Sequence, residues 1–337
     1  MQYLIESQLI LEYTLHRTCV GGNKGIQKNL DDGIDTIGKK MTVCQLYAKQ
    51  IRHRGNVRYN TKNGRKRLMK LLEEDKLGGC PIDSVKLSDA KEWAIRMKEK
   101  GISYKTISND KRSLKAAFYT AIQDDCIRKN PFDFQLNTVI EDDTEPKVPL
   151  TPAQEESFLS FAQNDKVYQK YYDELIILLG TGLRISELCG LTDTDIDFEN
   201  RIINVDHQLL RSAETGYYIE TPKTKSGIRQ IPMSEKVYEA FNRVLKRSRG
   251  AKAVTIDGYS NFLFLNRDGY PKTATNYDGM FRGLAKKYNK YHEEALPKVM
   301  TPHTLRHTFC TNMANAGMNP KALQYIMGHS NITMTLN

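Results

Sequence analysis

The chain has no uninterrupted apolar run long enough to span a bilayer, and its 39% hydrophobic content is that of a globular protein. Residues 2–11 are partly apolar, but Glu6 and Glu12 stand in or beside them, without a basic leader or a small-residue cleavage site. A cytoplasmic protein with no membrane partner is expected. Cysteine pairing is also missing: Cys19, Cys44, Cys80, Cys126, Cys189 and Cys310 include no CxxC, so neither a zinc site nor a disulfide framework is indicated. They are expected to be reduced and mostly buried. The glutamate of a zinc-binding HExxH helix is absent too. His303 and His307 are four apart, but Thr304, Leu305 and Arg306 fill the gap, and the arginine puts positive charge where a metal would sit. No metal site is indicated by these residues. No internal repeat or low-complexity tract appears.

Positive charge is present in excess. Fifty Lys and Arg against forty Asp and Glu leave a net charge of +10, which favours a polyanionic partner. A length of 337 residues suffices for two domains with real cores. Residues 1–38 fit neither domain: Gly21 to Gly25 interrupts any helix, and Leu30 to Gly38 reads as a linker. From Met41 the pattern is helical, and residues 39–136 form the first unit. Thr42 to Gln50 begins one helix. Arg52, Arg54, Arg58, Lys66 and Arg67, with His53, Lys62 and Arg65, make a basic stretch that runs into Leu68 to Leu72 and suits phosphate contact. Ser88 to Met97 forms another helix, stopped near Gly101. A long helix from Ser103 to about Ile127 turns Ile107, Leu114, Phe118 and Ala121 inward and leaves Lys105, Asn109, Arg112 and Lys115 on other faces. Pro131 closes it. Residues 137–150, acidic at Glu141 to Glu145 and carrying Pro146 and Pro149, read as an interdomain linker.

The second unit, 151–337, opens with a capping box, Thr151-Pro152-Ala153-Gln154. Its centre of interest is Thr301 to His329. Thr301 is expected to cap a helix with Pro302 in the first turn, which places His303 and Arg306 three apart near the positive end of the dipole. Gly317 stops that helix. Asn319 and Pro320 start the next, which ends at Gly328 and leaves His329 just beyond. Two helix boundaries thus deliver His303, Arg306 and His329 from one compact stretch suited to holding a phosphate. Upstream, the apolar helix Tyr172 to Leu179 breaks at Gly180-Thr181-Gly182 and restarts at Arg184 to Leu188, with Arg184 and Glu187 on one face. Between the two lies a β pattern of Arg201 to Val205, Tyr217 to Thr221 and Ile228 to Ile231. The Pro222 to Gly227 loop is expected to close a hairpin with Lys223 and Lys225 at its tip. Ser234 to about Arg249 and Tyr277 to Tyr291 read as helices, and Phe262 to Leu265 as a short strand.

In this order the pieces resemble the tyrosine recombinases, or phage-type integrases, and among them the integrases of conjugative transposons. TGLRISEL carries Arg184 and Glu187, TKSG carries Lys225, HTLRH carries His303 and Arg306, and GHS carries His329. The resemblance implies a mainly α fold with a small antiparallel β-sheet: a helical core-binding (SAM-like) domain followed by an α+β tyrosine-recombinase catalytic domain. No arm-binding domain is recognisable in front. It also implies strand exchange on double-stranded DNA through a 3′-phosphotyrosine, by a homotetramer on paired sites, without cofactor. Arg184 and Arg306 would hold the charge that builds on the non-bridging oxygens, since rigid guanidinium forks suit that target. Lys225, with Lys223 as alternate, would protonate the departing 5′ oxygen. His303 would move the nucleophile's proton, His329 would donate to the phosphate, and Glu187 would orient rather than react. The family's nucleophilic tyrosine lies two to three helical turns beyond GHS, so none is expected within 1–337 and the catalytic domain reads as truncated. A DNA-binding regulator on the same scaffold, which no longer cuts, is the alternative.

Overall fold

The computed structural model describes residues 40–336 apart from 56, 146, 147, 223, 249–253 and 298. The N-terminal segment and Lys223 therefore lie outside the described residues. The chain is mainly helical with small antiparallel sheets, as the family resemblance implies, and it divides into two compact units at Glu145. Among the described residues, no helix is long and apolar enough to cross a membrane.

The first unit packs α1 (Val43–His53), α2 (Tyr59–Glu73), α3 (Leu87–Glu99) and α4 (Tyr104–Gln123) around Leu46, Leu72, Trp93, Phe118 and Phe132. Thr42 starts α1 through a reciprocal capping box with Gln45, at 3.2 and 2.9 Å. Ile107, Leu114, Phe118 and Ala121 face inward from α4 at helical spacing. That helix stops at Gln123, short of the expected Ile127, because Asp125 turns left-handed at φ +53°. Pro131 then lets Phe132 pack edge-on against Trp93, with ring centroids 5.8 Å apart.

In the second unit α5 (Pro152–Asn164), α6 (Tyr172–Thr181) and α7 (Ile185–Gly190) precede the strands. These are β1 (Ile196–Asp197), β2 (Ile202–Val205), β3 (Gln208–Ser212), β4 (Gly216–Glu220) and β5 (Arg229–Pro232). After them come α8 (Glu235–Ser248), α9 (Ala274–Tyr291), α10 (Pro302–Asn315), α11 (Pro320–Met327) and α12 (Thr333–Leu336). The Thr151 capping box forms, with Gln154 N donating to Thr151 Oγ1 at 3.1 Å.

Strand pairing differs from expectation. β4 and β5 do not form a hairpin with each other: β4 pairs with β3, and β5 pairs with β2 in a β1-β2-β5 sheet. The reason is a tight turn ahead of β4, where Thr215 N donates to Ser212 Oγ at 2.9 Å and Gly216 takes φ +72°, so β3 folds back onto β4 first. The segment with Lys225 is instead a crossover between two sheets, with Lys225–Gly227 in one 3₁₀ turn. Phe262 to Leu265 is not a strand. It makes only the isolated bridges Thr192 to Phe262 and Leu265 to Pro271, and its apolar residues serve the core.

Two glycines give opposite expectations. Gly182 has φ +62°, and a Cβ there would sit 2.4 Å from Phe309 Cδ1 and 3.0 Å from Met327 Sδ. Gly182→Ala should therefore destabilise the second unit by about 1–3 kcal/mol or more, from overpacking and backbone strain together. Gly64, inside α2, has nothing within 4 Å of such a Cβ. Gly64→Ala should stabilise the first unit by about 0.5–1 kcal/mol. Denaturant titration of both variants reads the signs directly.

Candidate active site

The site is assembled from chain ends rather than from a pocket wall. α6 closes on Gly182 in the left-handed region, and this reversal brings Arg184 to the start of α7. Glu187, one turn on, accepts from Arg184 N at 2.8 Å and from Arg184 Nη1 at 2.7 Å. Its carboxylate is buried, and Arg229 of β5 delivers a two-pronged contact to it: Nη1 to Oε1 at 3.0 Å and Nη2 to Oε2 at 2.8 Å. Burial would raise the pKa of Glu187, but the hydrogen bonds and charge of Arg229, then the charge of Arg184, outweigh it and hold the carboxyl at about 2.

α11 faces this cluster with its C-terminal end, where the last carbonyls have no intrahelical partner and carry the negative end of the dipole. Three consecutive carbonyls accept from three arginines. Arg229 Nε donates to Ile326 O at 2.6 Å, Arg306 Nη2 to Met327 O, and Arg184 Nη2 to Gly328 O at 3.0 Å. Arg306 Nη1 also donates to Gly182 O at 2.5 Å, so one guanidinium ties the α6 break to the α11 end. Gly328 allows this closeness: it takes φ +60°, and a Cβ would stand 3.1 Å from both Arg229 Nη1 and Ser226 O. Burial, then the neighbouring Arg184, push the Arg306 pKa down to about 9, which leaves it charged at neutral pH.

His329 follows directly and is buried, with Nδ1 3.0 Å from Thr335 Oγ1. Burial, then Arg306, Arg184 and Arg229, lower its pKa to about 4, so the ring is neutral at pH 7. His303 and Arg306 differ in placement: Arg306 is buried, whereas His303 is exposed in the first turn of α10. Thr301 does not cap with its side chain. Instead Thr304 Oγ1 accepts from Thr301 N at 3.2 Å, the Thr304 hydroxyl being one turn inside the helix. Lys225 is exposed in its turn, two residues from Gly227, whose carbonyl accepts from Arg229 Nη1 at 3.2 Å.

Direct hydrogen bonds thus gather Arg184, Glu187 and Arg306 around the α11 end, with His329 next in the chain. The sequence reading missed Arg229. A signal existed: in the alternating strand Arg229-Gln230-Ile231-Pro232 the arginine takes an inward position with Ile231, and a buried arginine demands a buried carboxylate.

The expected DNA contacts of the first unit differ in their placement. Arg52 and Arg54 are exposed at the end of α1, Arg58 precedes α2, and Lys66 is exposed on it. Lys105, Asn109 and Arg112 form one exposed stripe along α4, with Arg112 Nη1 3.3 Å from Asn109 Oδ1. Arg67 and Lys115 are committed within the unit: Arg67 Nη2 lies 2.5 Å from the buried Asp110, and Lys115 Nζ lies 2.5 Å from Asp133. Asp195, Asp206 and His207 come close enough together to suggest a cation. Both ring nitrogens of His207 are already engaged, with Asp206 Oδ1 at 2.6 Å and Gly190 O at 2.8 Å, so the group serves as a strut behind α7.

Two groups of the site contribute to the acid stability of this unit. His329 at about 4 and Glu187 at about 2 both lie below their ordinary values, so the unfolded chain takes up protons first and stability falls with pH. The His329 contribution is present above about pH 6.5 and fades towards 4. That of Glu187 is present above about 4.5 and fades towards 2. Denaturation midpoints from pH 8 to 3 should fall from about pH 6.5 downward, and His329→Asn should flatten the upper part of the curve.

The sequence profile of the phage integrase family matches residues 149–337. The transposase from transposon Tn916 of Enterococcus faecalis is 68% identical over 312 residues, covering 93% of this chain and 77% of its own length. A solved structure of the Tn1549 transposon integrase in complex with a circular intermediate DNA superposes with a TM-score of 0.85 at 78% identity, over 88% of this chain and 94% of that one. A lambda integrase dimer bound to a COC′ core site, 16% identical with a TM-score of 0.59, shares the fold over 87% of this chain and 75% of its own. By its profile and its 68% identity to a transposon transposase, the chain belongs to the phage integrase family of tyrosine recombinases.

Proposed function

We propose that the protein is a site-specific DNA recombinase of a transposon and that the arginine cluster is its strand-transfer site. The observation that carries this reading is that Arg184 and Arg306 each have two of their five side-chain donors bonded to the protein, leaving three each for a phosphate. Attack on a phosphodiester builds negative charge on the non-bridging oxygens, and fixed guanidinium forks stabilise it without a metal ion. His329 is neutral. With Nδ1 accepting the Thr335 hydroxyl, Nε2 carries the ring hydrogen and donates to the phosphate. Lys225, on its exposed turn, protonates the leaving 5′ oxygen, with Lys223 as the alternate donor, and His303 at the rim takes the nucleophile's proton.

Double-stranded DNA is the substrate, as the DNA in the Tn1549 integrase structure supports. The exposed Lys105, Asn109 and Arg112 stripe contacts its phosphates, together with Arg52, Arg54, Arg58 and Lys66. Arg67 and Lys115 contribute only by exchanging their present carboxylates for phosphates. Four copies act on two paired sites.

Three tyrosines of the second unit are engaged within the fold and are not read as the nucleophile. Tyr277 is wholly buried, and the Tyr325 hydroxyl accepts from Gln230 N at 3.1 Å. Tyr217 stacks on Tyr270 with centroids 5.9 Å apart. Residues 1–337 incubated with a nicked suicide substrate should therefore give no protease-sensitive DNA band on a denaturing gel. A band abolished by Tyr325→Phe would overturn this assignment.

The pocket is testable apart from the nucleophile. Annealed at the binding site, a strand ending in 3′-(p-nitrophenyl) phosphate beside a 5′-hydroxyl strand is joined when the hydroxyl attacks phosphorus and nitrophenolate leaves. Arg184→Ala and Arg306→Ala should each slow nitrophenolate release by about 100–1000-fold, whereas chelator should have no effect. Release at the wild-type rate by either variant would show that the cluster is not the site. DNA affinity should fall steeply with added salt, since many phosphate contacts release counterions.

A further inference from the structure

We propose that Arg229 is a positioning residue of the strand-transfer site: it grips the Glu187 carboxylate and so directs the Arg184 guanidinium. The proposal rests on the reading of the site given above. Its side chain is 0% exposed, so it cannot touch a DNA phosphate itself. What it touches is the framework under three of the other groups. Nη1 and Nη2 grip Glu187, one turn from Arg184; Nη1 also reaches Gly227 O, two residues from Lys225; Nε reaches Ile326 O, three residues from His329. One guanidinium thus fastens the three segments that bear Arg184, Lys225 and His329.

The electrostatics give this fastening a direction. Three guanidiniums share one buried carboxylate, Glu187, and three consecutive carbonyls of the α11 end. If Arg184 alone neutralised Glu187, it would turn both forks of its guanidinium to the carboxylate and present fewer donors to an incoming phosphate. Because Arg229 occupies an edge of both carboxylate oxygens, Glu187 needs only one side-chain hydrogen bond from Arg184, at 2.7 Å. Arg229 thereby frees Arg184 for the substrate while Glu187 keeps its aim.

Arg229→Met leaves the Glu187 carboxylate buried with half its partners gone and is expected to unfold the unit. Arg229→Lys is the working test, since it keeps the charge and loses the fork. Two readouts separate positioning from plain support. In the DNA-free protein the side-chain carbon shift of Glu187 should stay at its ionised value down to about pH 4, and in Arg229→Lys it should titrate near or above the ordinary carboxylate value of about 4.3. In the nitrophenyl assay Arg229→Lys should slow release about 10–100-fold and add an acid limb to the pH–rate profile. Its DNA affinity should stay within about twofold of wild type, because no phosphate contact is lost. Placed on Glu187→Gln, where no charge remains to be held, the same substitution should cost little more. Unchanged titration of Glu187 in Arg229→Lys, or penalties that multiply across the two positions, would overturn the proposal. If the wild-type chain itself released no nitrophenolate, the strand-transfer reading would fall, and the Glu187 titration would still decide what Arg229 does.

Discussion

Gathering like charges is the constraint on which the second unit depends. Two unit charges about 4 Å apart at an effective dielectric near 20 repel by roughly 4 kcal/mol, and three arginines meet around the end of α11. Glu187 supplies one full counter-charge, and the helix end supplies three aligned carbonyl dipoles. Neither would suffice alone. A carboxylate for each arginine would neutralise the cluster and leave nothing for an anion, whereas carbonyls alone would not balance three desolvated cations. The arrangement leaves a net positive site with every guanidinium aimed.

The same crowding explains the neutral state of His329. A buried imidazole beside Arg306, Arg184 and Arg229 gains nothing from a further proton, so it remains a neutral donor and acceptor at physiological pH. A buried ion pair is seldom a net source of stability compared with an apolar pair of like volume. The presence of the buried Arg229–Glu187 pair is thus better explained by the aim it imparts than by folding energy.

What could be read from the sequence was local. Gly182 and Gly328 as left-handed stops, Asn319 as a cap, and the spacing of Arg184 and Glu187 each depend on residues within a turn of one another, where periodicity and capping chemistry act directly. What escaped was set by distant pairings. Whether β4 returns to β3 or runs on to β5 depends on the turn at Gly216, since β4 is half-buried along its whole length and has no inward face to choose between them. Arg229 finds its carboxylate 42 residues away, and nothing in a basic-looking TKSGIRQ stretch separates the buried arginine from the exposed lysine except the inward phase of a four-residue strand. Arg67 and Lys115 show the same limit on α2 and α4: their helical faces were legible, but Asp110 and Asp133, which claim their charge, become neighbours only in the folded unit.

The placement of α10 shows how the fold fixes the aim of Arg306. Its buried Thr308 accepts from Leu150 N at 2.9 Å and donates to Thr304 O at 3.0 Å, so the chain is pinned to the site helix where it enters the second unit. Asn312 donates to Glu155 on α5 at 2.7 Å, one turn further along. Arg306, two residues before the first of these anchors, projects to two backbone carbonyls, and backbone carbonyls, unlike side chains, have no rotamers to change. A donor held in this way incurs little reorganisation cost when charge develops on a phosphate. In the strand-transfer site proposed above, the scaffold of α5, α10 and α11 therefore acts through rigidity, by fixing the Arg306 fork on backbone carbonyls.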